Sequence, residues 1–148
     1  MSDERAAWTE ARWSGFGRAM GYSAEELREF RSHPNNEYVV QNAWRLDEWV
    51  IEAEVVESHG CAAGHKVGDK LYFSPQGVLE ARRGPEQICL AGLVGLASAV
   101  AVMQERIIMG LPPDAMLFRR VGCLDVGVRC GGWGHVAFSL SAVPRTAD

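Results

Sequence analysis

Six side chains able to bind a soft metal ion or attack an electrophile fall within two short stretches of this chain. His59, Cys61 and His65 lie in HGCAAGH, and Cys123, Cys130 and His135 lie in GCLDVGVRCGGWGH. A fourth cysteine, Cys89, stands between them where an apolar segment begins. Thiolates and imidazoles are the ligands that zinc and iron prefer, and a thiolate is also a strong nucleophile. The N-terminal segment MSDERAAWTEAR is charged from its third residue and has no apolar stretch of the secretory kind, so a cytoplasmic location is expected. Thiols stay reduced there, which favours metal binding or catalysis over disulfides as the use of four cysteines.

The size and charge of the chain narrow the possibilities. A protein of 148 residues buries roughly 70% of its unfolded surface, so no metal is needed merely to hold it together. Nineteen acidic against fifteen basic residues give a net charge of -4. The basic residues form no run beyond pairs such as Arg82-Arg83 and Arg119-Arg120. Nucleic acid is therefore not an expected partner. The apolar segment from Ile88 to Met103 is 16 residues long, short of the ~20 that span a bilayer. It is expected to be a buried core helix or a helix at a subunit interface, with no membrane partner.

The elements that must position these ligands can be read from periodicity. Trp13, Phe16, Gly17 and Met20 recur at helical spacing, with Gly21 placed to stop the helix. Ser23 and Glu26 form a capping box for a second helix, which His33-Pro34 ends. A third short helix is expected from Asn36 to Leu46. From Trp49 the period becomes two, with Trp49, Ile51, Ala53 and Val55 on one face of a strand. Val67-Gly68-Asp69 reads as a tight turn into a strand from Lys70 to Phe73. Ser74-Pro75-Gln76-Gly77 then reads as a second turn, with Val78 to Ala81 pairing back as a hairpin. Gly84-Pro85 would open the long helix and Gly110 close it. Two last strands are expected, from about Gly122 to Cys130 and from His135 to Val143, joined by Gly131-Gly132-Trp133-Gly134. The resulting fold class is α+β: a mainly antiparallel sheet, one long buried helix, and a helical N-terminal extension over 1–47 on a core domain over 48–148.

On a regular strand from Leu124 to Cys130 the even positions share the buried face, so Cys130 points inward and Cys123 outward unless Gly127 marks a bulge. Cys130 also borders the glycine-rich turn, while Cys123 reads as a structural cysteine. The loop after the first strand, the start of the long helix and the Cys130 turn can meet at one end of an antiparallel sheet. Cys61, Cys89 and Cys130, with His65 or His135, would then make a Cys3His-type set for zinc or iron. Asp125 or His135 would handle protons.

The segments GCAAGHKVGDKLYF, PEQICLAG and VGCLDVGVRCGGWGHVAF together resemble a family of small uncharacterised bacterial and archaeal proteins. The likeness extends over about residues 49–143, and the helical N-terminal portion departs from the short family form. Matched position by position, it implies a shared cysteine site at Cys61, Cys89 and Cys130 and carries no substrate with it.

Three functions are consistent with this reading. The first is a metal–thiolate protein, a zinc- or iron-dependent enzyme acting on a small molecule. The second is a metal-free enzyme with Cys89 or Cys61 as nucleophile and a histidine as base. The third is an accessory subunit of a larger metabolic enzyme, docked through Trp8, Trp13 and Trp44. Association into a homo-oligomer through the helices is expected in the first two.

Overall fold

The computed structural model of the chain describes residues 8–74 and 76–145. The first seven residues of the charged N-terminal segment, and Pro75 of the expected turn, lie outside the described residues. The chain divides into two compact units, Met1–Trp44 and Arg45–Asp148, a few residues before the division expected from sequence.

The first unit is helical, with α1 (Glu10–Met20), α2 (Ala24–Ser32) and α3 (Asn36–Asn42). Each boundary has a local cause. Thr9 caps α1 by accepting the Arg12 N–H, and Gly21 ends it at φ 74°, a conformation only glycine adopts freely. The Ser23/Glu26 capping box is formed in both directions. The third helix is shorter than expected: at Ala43 the chain tightens into a 3-10 stretch, Ala43–Glu48. Trp13 is 1% exposed, packed on Trp8 and Phe16 and covered by the Arg31 guanidinium 4.8 Å from its ring. Arg31 in turn pairs with Glu10 and Glu37. Trp13 thus packs on aromatic and cationic side chains of its own unit.

The second unit is a four-stranded antiparallel sheet covered by one long helix, as the α+β reading expects. Its strands are β1 (Trp49–His59), β2 (Lys70–Phe73), β3 (Arg120–Gly122) and β4 (His135–Pro144), in the order β2-β1-β4-β3. The helix, α4 (Leu90–Ile108), lays Leu96, Ala99, Val100, Met103 and Ile107 on the sheet. They meet Ile51, Ala53 and Val55 of β1 and Val136, Phe138 and Leu140 of β4, which form the facing core. Phe73 and Leu79 make a single bridge, so the expected hairpin after Gly77 closes for one pair and then turns into a 3-10 turn at Ala81–Arg83.

Three expectations are corrected. The long helix begins at Leu90, not after Gly84-Pro85, with Cys89 as its N-terminal flanking residue. At 19 residues it is long and apolar enough to cross a membrane by length and composition, so the shortfall argued from the sequence does not hold; its inner face is packed on the sheet. The strand expected from Gly122 to Cys130 does not form: β3 ends at Gly122, and the chain beyond it folds into a loop in which Gly127 and Gly131 take φ of 75° and 84°.

Two glycines of α4 set how closely it approaches the sheet. A Cβ on Gly92 would lie 3.2 Å from the Phe138 ring, and one on Gly95 would lie 2.1 Å from the Gly122 carbonyl oxygen. The second clash is with backbone and cannot be relieved by a rotamer change. Gly95→Ala is therefore expected to push α4 from β3 and destabilise the second unit by about 1–3 kcal/mol. Chemical denaturation is the check, and an unchanged midpoint would contradict this packing.

Candidate functional site

One end of the sheet carries a strand irregularity that decides which side chains face inward. In β1 the register with β4 shifts between Val55 and Glu57, a bulge that reverses the alternation beyond it. Ser58 rather than Glu57 or His59 then shares the core face with its partner Val136. Its hydroxyl donates to the His65 carbonyl at 2.6 Å, which ties down the loop that follows. His59 and His135 pair directly across the strands on the outer face.

The loop from Gly60 to Asp69 is built from two tight turns. Gly64 N–H donates to the Cys61 carbonyl, and Asp69 N–H donates to the Lys66 carbonyl, with Gly68 at φ 93°. The Asp69 carboxylate accepts the Lys66 N–H at 2.8 Å. Val55 exchanges backbone bonds with Gly68 and Asp69, extending the β1–β2 ladder into the loop. His65 is thereby carried inward to 5% exposure, with its ring edge on Phe138.

His65 also explains where α4 begins. The Cys89 N–H, which has no partner within the helix, donates to His65 Nε2 at 3.3 Å. The Cys89 carbonyl then accepts from Gly92 and Leu93. On the other side of the ring, His65 Nδ1 is buried without a hydrogen-bond partner, with Asp69 Oδ2 4.0 Å away.

The third wall comes from the chain after β3. Val121 faces Phe138, so two residues on Cys123 also points inward. Its N–H donates to the Val136 carbonyl, and its sulfur accepts the Val136 N–H at 3.4 Å. Asp125 then gathers the loop: its carboxylate accepts from Gly127 (3.0 Å), Trp133 (3.0 Å) and Gly134 (2.9 Å). Gly134 packs backbone to backbone on Gly60, where a Cβ would lie 2.3 Å from the Gly60 oxygen.

These walls enclose a cavity of about 100 Å³ lined by Cys61, His65, Cys89, Cys123 and Asp125, with Gly92, Val136 and Phe138. Cys61, His65 and Cys89 are brought together as the sequence suggests. Cys130, expected beside them, is exposed in a 3-10 turn, Val128–Cys130, and does not line the cavity. Cys123 takes the inward position, because two residues of strand after Val121 set the facing and no strand reaches Cys130. The parity of Cys123 with Val121 is the signal that finds it, once the strand is ended at the glycines. His135 stands on the outer face of the sheet, away from the cavity. Among the described residues no group of three or more His, Cys, Asp or Glu side chains is disposed, as it stands, to hold a metal ion.

No protein-family model, no curated protein and no solved structure matches this chain.

Asp125 is held in its ionised form. The N–H groups of Gly134 and Gly127, then that of Trp133 and the nearby His135, lower its pKa below the usual aspartate value. A carboxylate so stabilised is a poor proton acceptor, and its position makes it a loop anchor. Since its pKa is depressed in the folded state, its stabilising effect is full above the unfolded value of about 3.9 and is lost as pH falls through the folded value. Asp125→Ala is expected to lower stability at neutral pH, with the difference from wild type shrinking below pH 4. Thermal melts across pH 2–7 test this, and a constant difference would show that the charge is not what matters.

Proposed function

We propose that the cavity at the end of the sheet is a metal–thiolate site for zinc or iron, held by Cys61, Cys89, Cys123 and His65. The observation that carries this reading is that three thiols and one imidazole, from three separate segments, line a single small cavity. Three thiolates and an imidazole match the ligand chemistry of zinc and iron centres. Nε2 is the imidazole nitrogen on the Cys89 side of the ring, and it would serve as a ligand by exchanging the Cys89 N–H for the ion.

Volume supports an ion over an organic ligand. Sites for drug-sized molecules measure roughly 300–1,000 Å³, whereas this cavity measures about 100 Å³. That is room for an ion and a few small atoms. A zinc or iron ion supplies Lewis acidity when bound. The chain's own residues wall the cavity with Phe138 and Val136, anchor the His65 backbone carbonyl with the Ser58 hydroxyl and the imidazole with the Cys89 N–H, and keep the Asp125 charge engaged on backbone N–H groups. A small-molecule substrate would have to reach the ion at the cavity mouth.

A second reading has its own support. Cys89 sits at the N-terminus of the 19-residue α4, where the helix dipole favours negative charge, and its backbone touches His65. That is the placement of a cysteine nucleophile with an imidazole beside it, and it requires no metal.

Elemental analysis of protein purified without oxygen or chelator separates the two. Near-stoichiometric zinc or iron is expected in wild type and in Cys130→Ser, falling at least tenfold in Cys61→Ser, Cys89→Ser and Cys123→Ser. Metal-free preparations after reconstitution with either ion would sink the metal reading. Selective alkylation of Cys89 would then favour the nucleophile.

A further inference from the structure

We propose that the cavity reduces hydrogen peroxide, with Cys89 as the thiol that attacks it and Cys123 as the thiol that resolves the product into a disulfide. The proposal rests on the metal-free reading of Cys89 as a nucleophile and names the electrophile that this nucleophile meets.

The walls of the cavity select that electrophile. Three thiols line a space of about 100 Å³, with no lysine or arginine among the described residues around it. Its one carboxylate, Asp125, is already engaged by three backbone N–H groups. An anionic substrate finds no partner there, and an organic ligand of ordinary size needs roughly 300–1,000 Å³. A neutral electrophile of a few atoms fits. Hydrogen peroxide is such a molecule, and its reduction uses thiols in pairs.

The two thiols are set differently. Cys89 flanks the start of α4, and its side chain makes no cap hydrogen bond. Cys123 is held in place: its Sγ–H donates to the Asp125 carbonyl at 3.5 Å, and its sulfur accepts the Val136 N–H at 3.4 Å. The chain at Cys123 is tied to the first turn of α4, where the Leu124 N–H donates to the Ala91 carbonyl at 3.2 Å. The unengaged sulfur is therefore the one that reacts first, and the held sulfur waits on the adjoining segment.

In the first step the Cys89 sulfur attacks one peroxide oxygen, the O–O bond breaks, and the thiol proton leaves with the departing hydroxyl as water. Cys89 becomes a sulfenic acid. His65 takes no part in that transfer, because its Nε2 already accepts the Cys89 N–H. In the second step the Cys123 sulfur attacks the sulfenic sulfur. An S–S bond forms, the S–O bond breaks, and the hydroxyl leaves with the Cys123 proton as a second water. Peroxide gains two electrons and the thiol pair loses two; a small external thiol restores the pair by exchange. Exposure alone predicts another order, since Cys130 is the exposed cysteine and Cys61, Cys89 and Cys123 are half-buried, and an open thiol oxidises first where access decides.

The experiment treats the full chain, reduced and stripped of metal with a chelator, with stoichiometric hydrogen peroxide and maps the products by mass spectrometry of unreduced peptides. The expected product is an intramolecular Cys89–Cys123 disulfide, with free thiols falling from four to two and restored by dithiothreitol. Cys130→Ser is expected to behave as wild type. In Cys123→Ser, with its fold checked by circular dichroism, the expected product is a Cys89 sulfenic acid trapped by dimedone. Oxidation that begins at Cys130, or a first disulfide other than Cys89–Cys123, overturns the proposal in wild type without any variant. Iodoacetamide labelling of the same preparation separates the two levels. Selective alkylation of Cys89 with no peroxide-driven disulfide overturns the peroxide chemistry and leaves the nucleophile standing, whereas an inert Cys89 in both assays removes both.

Discussion

The architecture of the second unit turns on one hydrogen bond, from the backbone N–H of Cys89 to Nε2 of His65. A helix start leaves its first N–H groups without internal partners, and a buried one must find an acceptor elsewhere. Here the acceptor is an imidazole on a loop between β1 and β2. The bond therefore joins two segments 24 residues apart and fixes Cys89 as the residue flanking the start of α4 at Leu90. It also sets the Cys89 backbone against an imidazole that is 5% exposed.

That arrangement requires the layers to approach closely at one end of the sheet. Gly92 and Gly95 let α4 lie on Phe138 and on the Gly122 carbonyl, and Gly60 and Gly134 let the two end loops meet backbone to backbone. Asp125 supplies the polar counterpart, satisfying three N–H groups of a loop that has no strand partner. The glycines exclude side-chain volume and the carboxylate satisfies the backbone, and between them a small cavity is left open with sulfur, imidazole, carboxylate and hydrophobic walls. Wherever a larger residue would have filled that end, the cavity would be absent.

Much of this was legible before the structure. The capping box at Ser23/Glu26, the stop at Gly21, the alternation of β1 and the turn at Gly68-Asp69 are local devices, and local physics suffices to read them. Cys61, His65 and Cys89 were legible as a group because each lies at the edge of an element. The misreading was one of parity. Facing along a strand depends on where the strand ends, and a run such as Leu124 to Cys130 reads as a strand by alternation alone. What ends it is the Asp125 carboxylate turning back on Gly127, Trp133 and Gly134, a contact spanning up to nine residues that no periodicity carries. The bulge at Val56 is the same kind of event: it moves His59 to the outer face and Ser58 to the inner one. Asp69 was read as turn chemistry, and so it is; its second relation, to His65 Nδ1, needs the ring's direction in space.

The two faces of the sheet end up with different chemistry for that reason. On the outer face His59 and His135 stand opposite each other, where solvent competes for any proton or ion they hold. On the inner face the same strand ends contribute Ser58 and Val136, and the donors come instead from a loop, a helix start and a strand end: Cys61, His65, Cys89 and Cys123. Since they belong to three segments that adjoin only when the sheet and helix have packed, the constellation cannot exist in the unfolded chain. The protein's tertiary packing, rather than a local binding motif with closely spaced cysteines, is what brings them together. A site made this way takes its selectivity from the stiffness of a packed interior, and the single adjustable freedom left to each cysteine is the torsion that aims its sulfur.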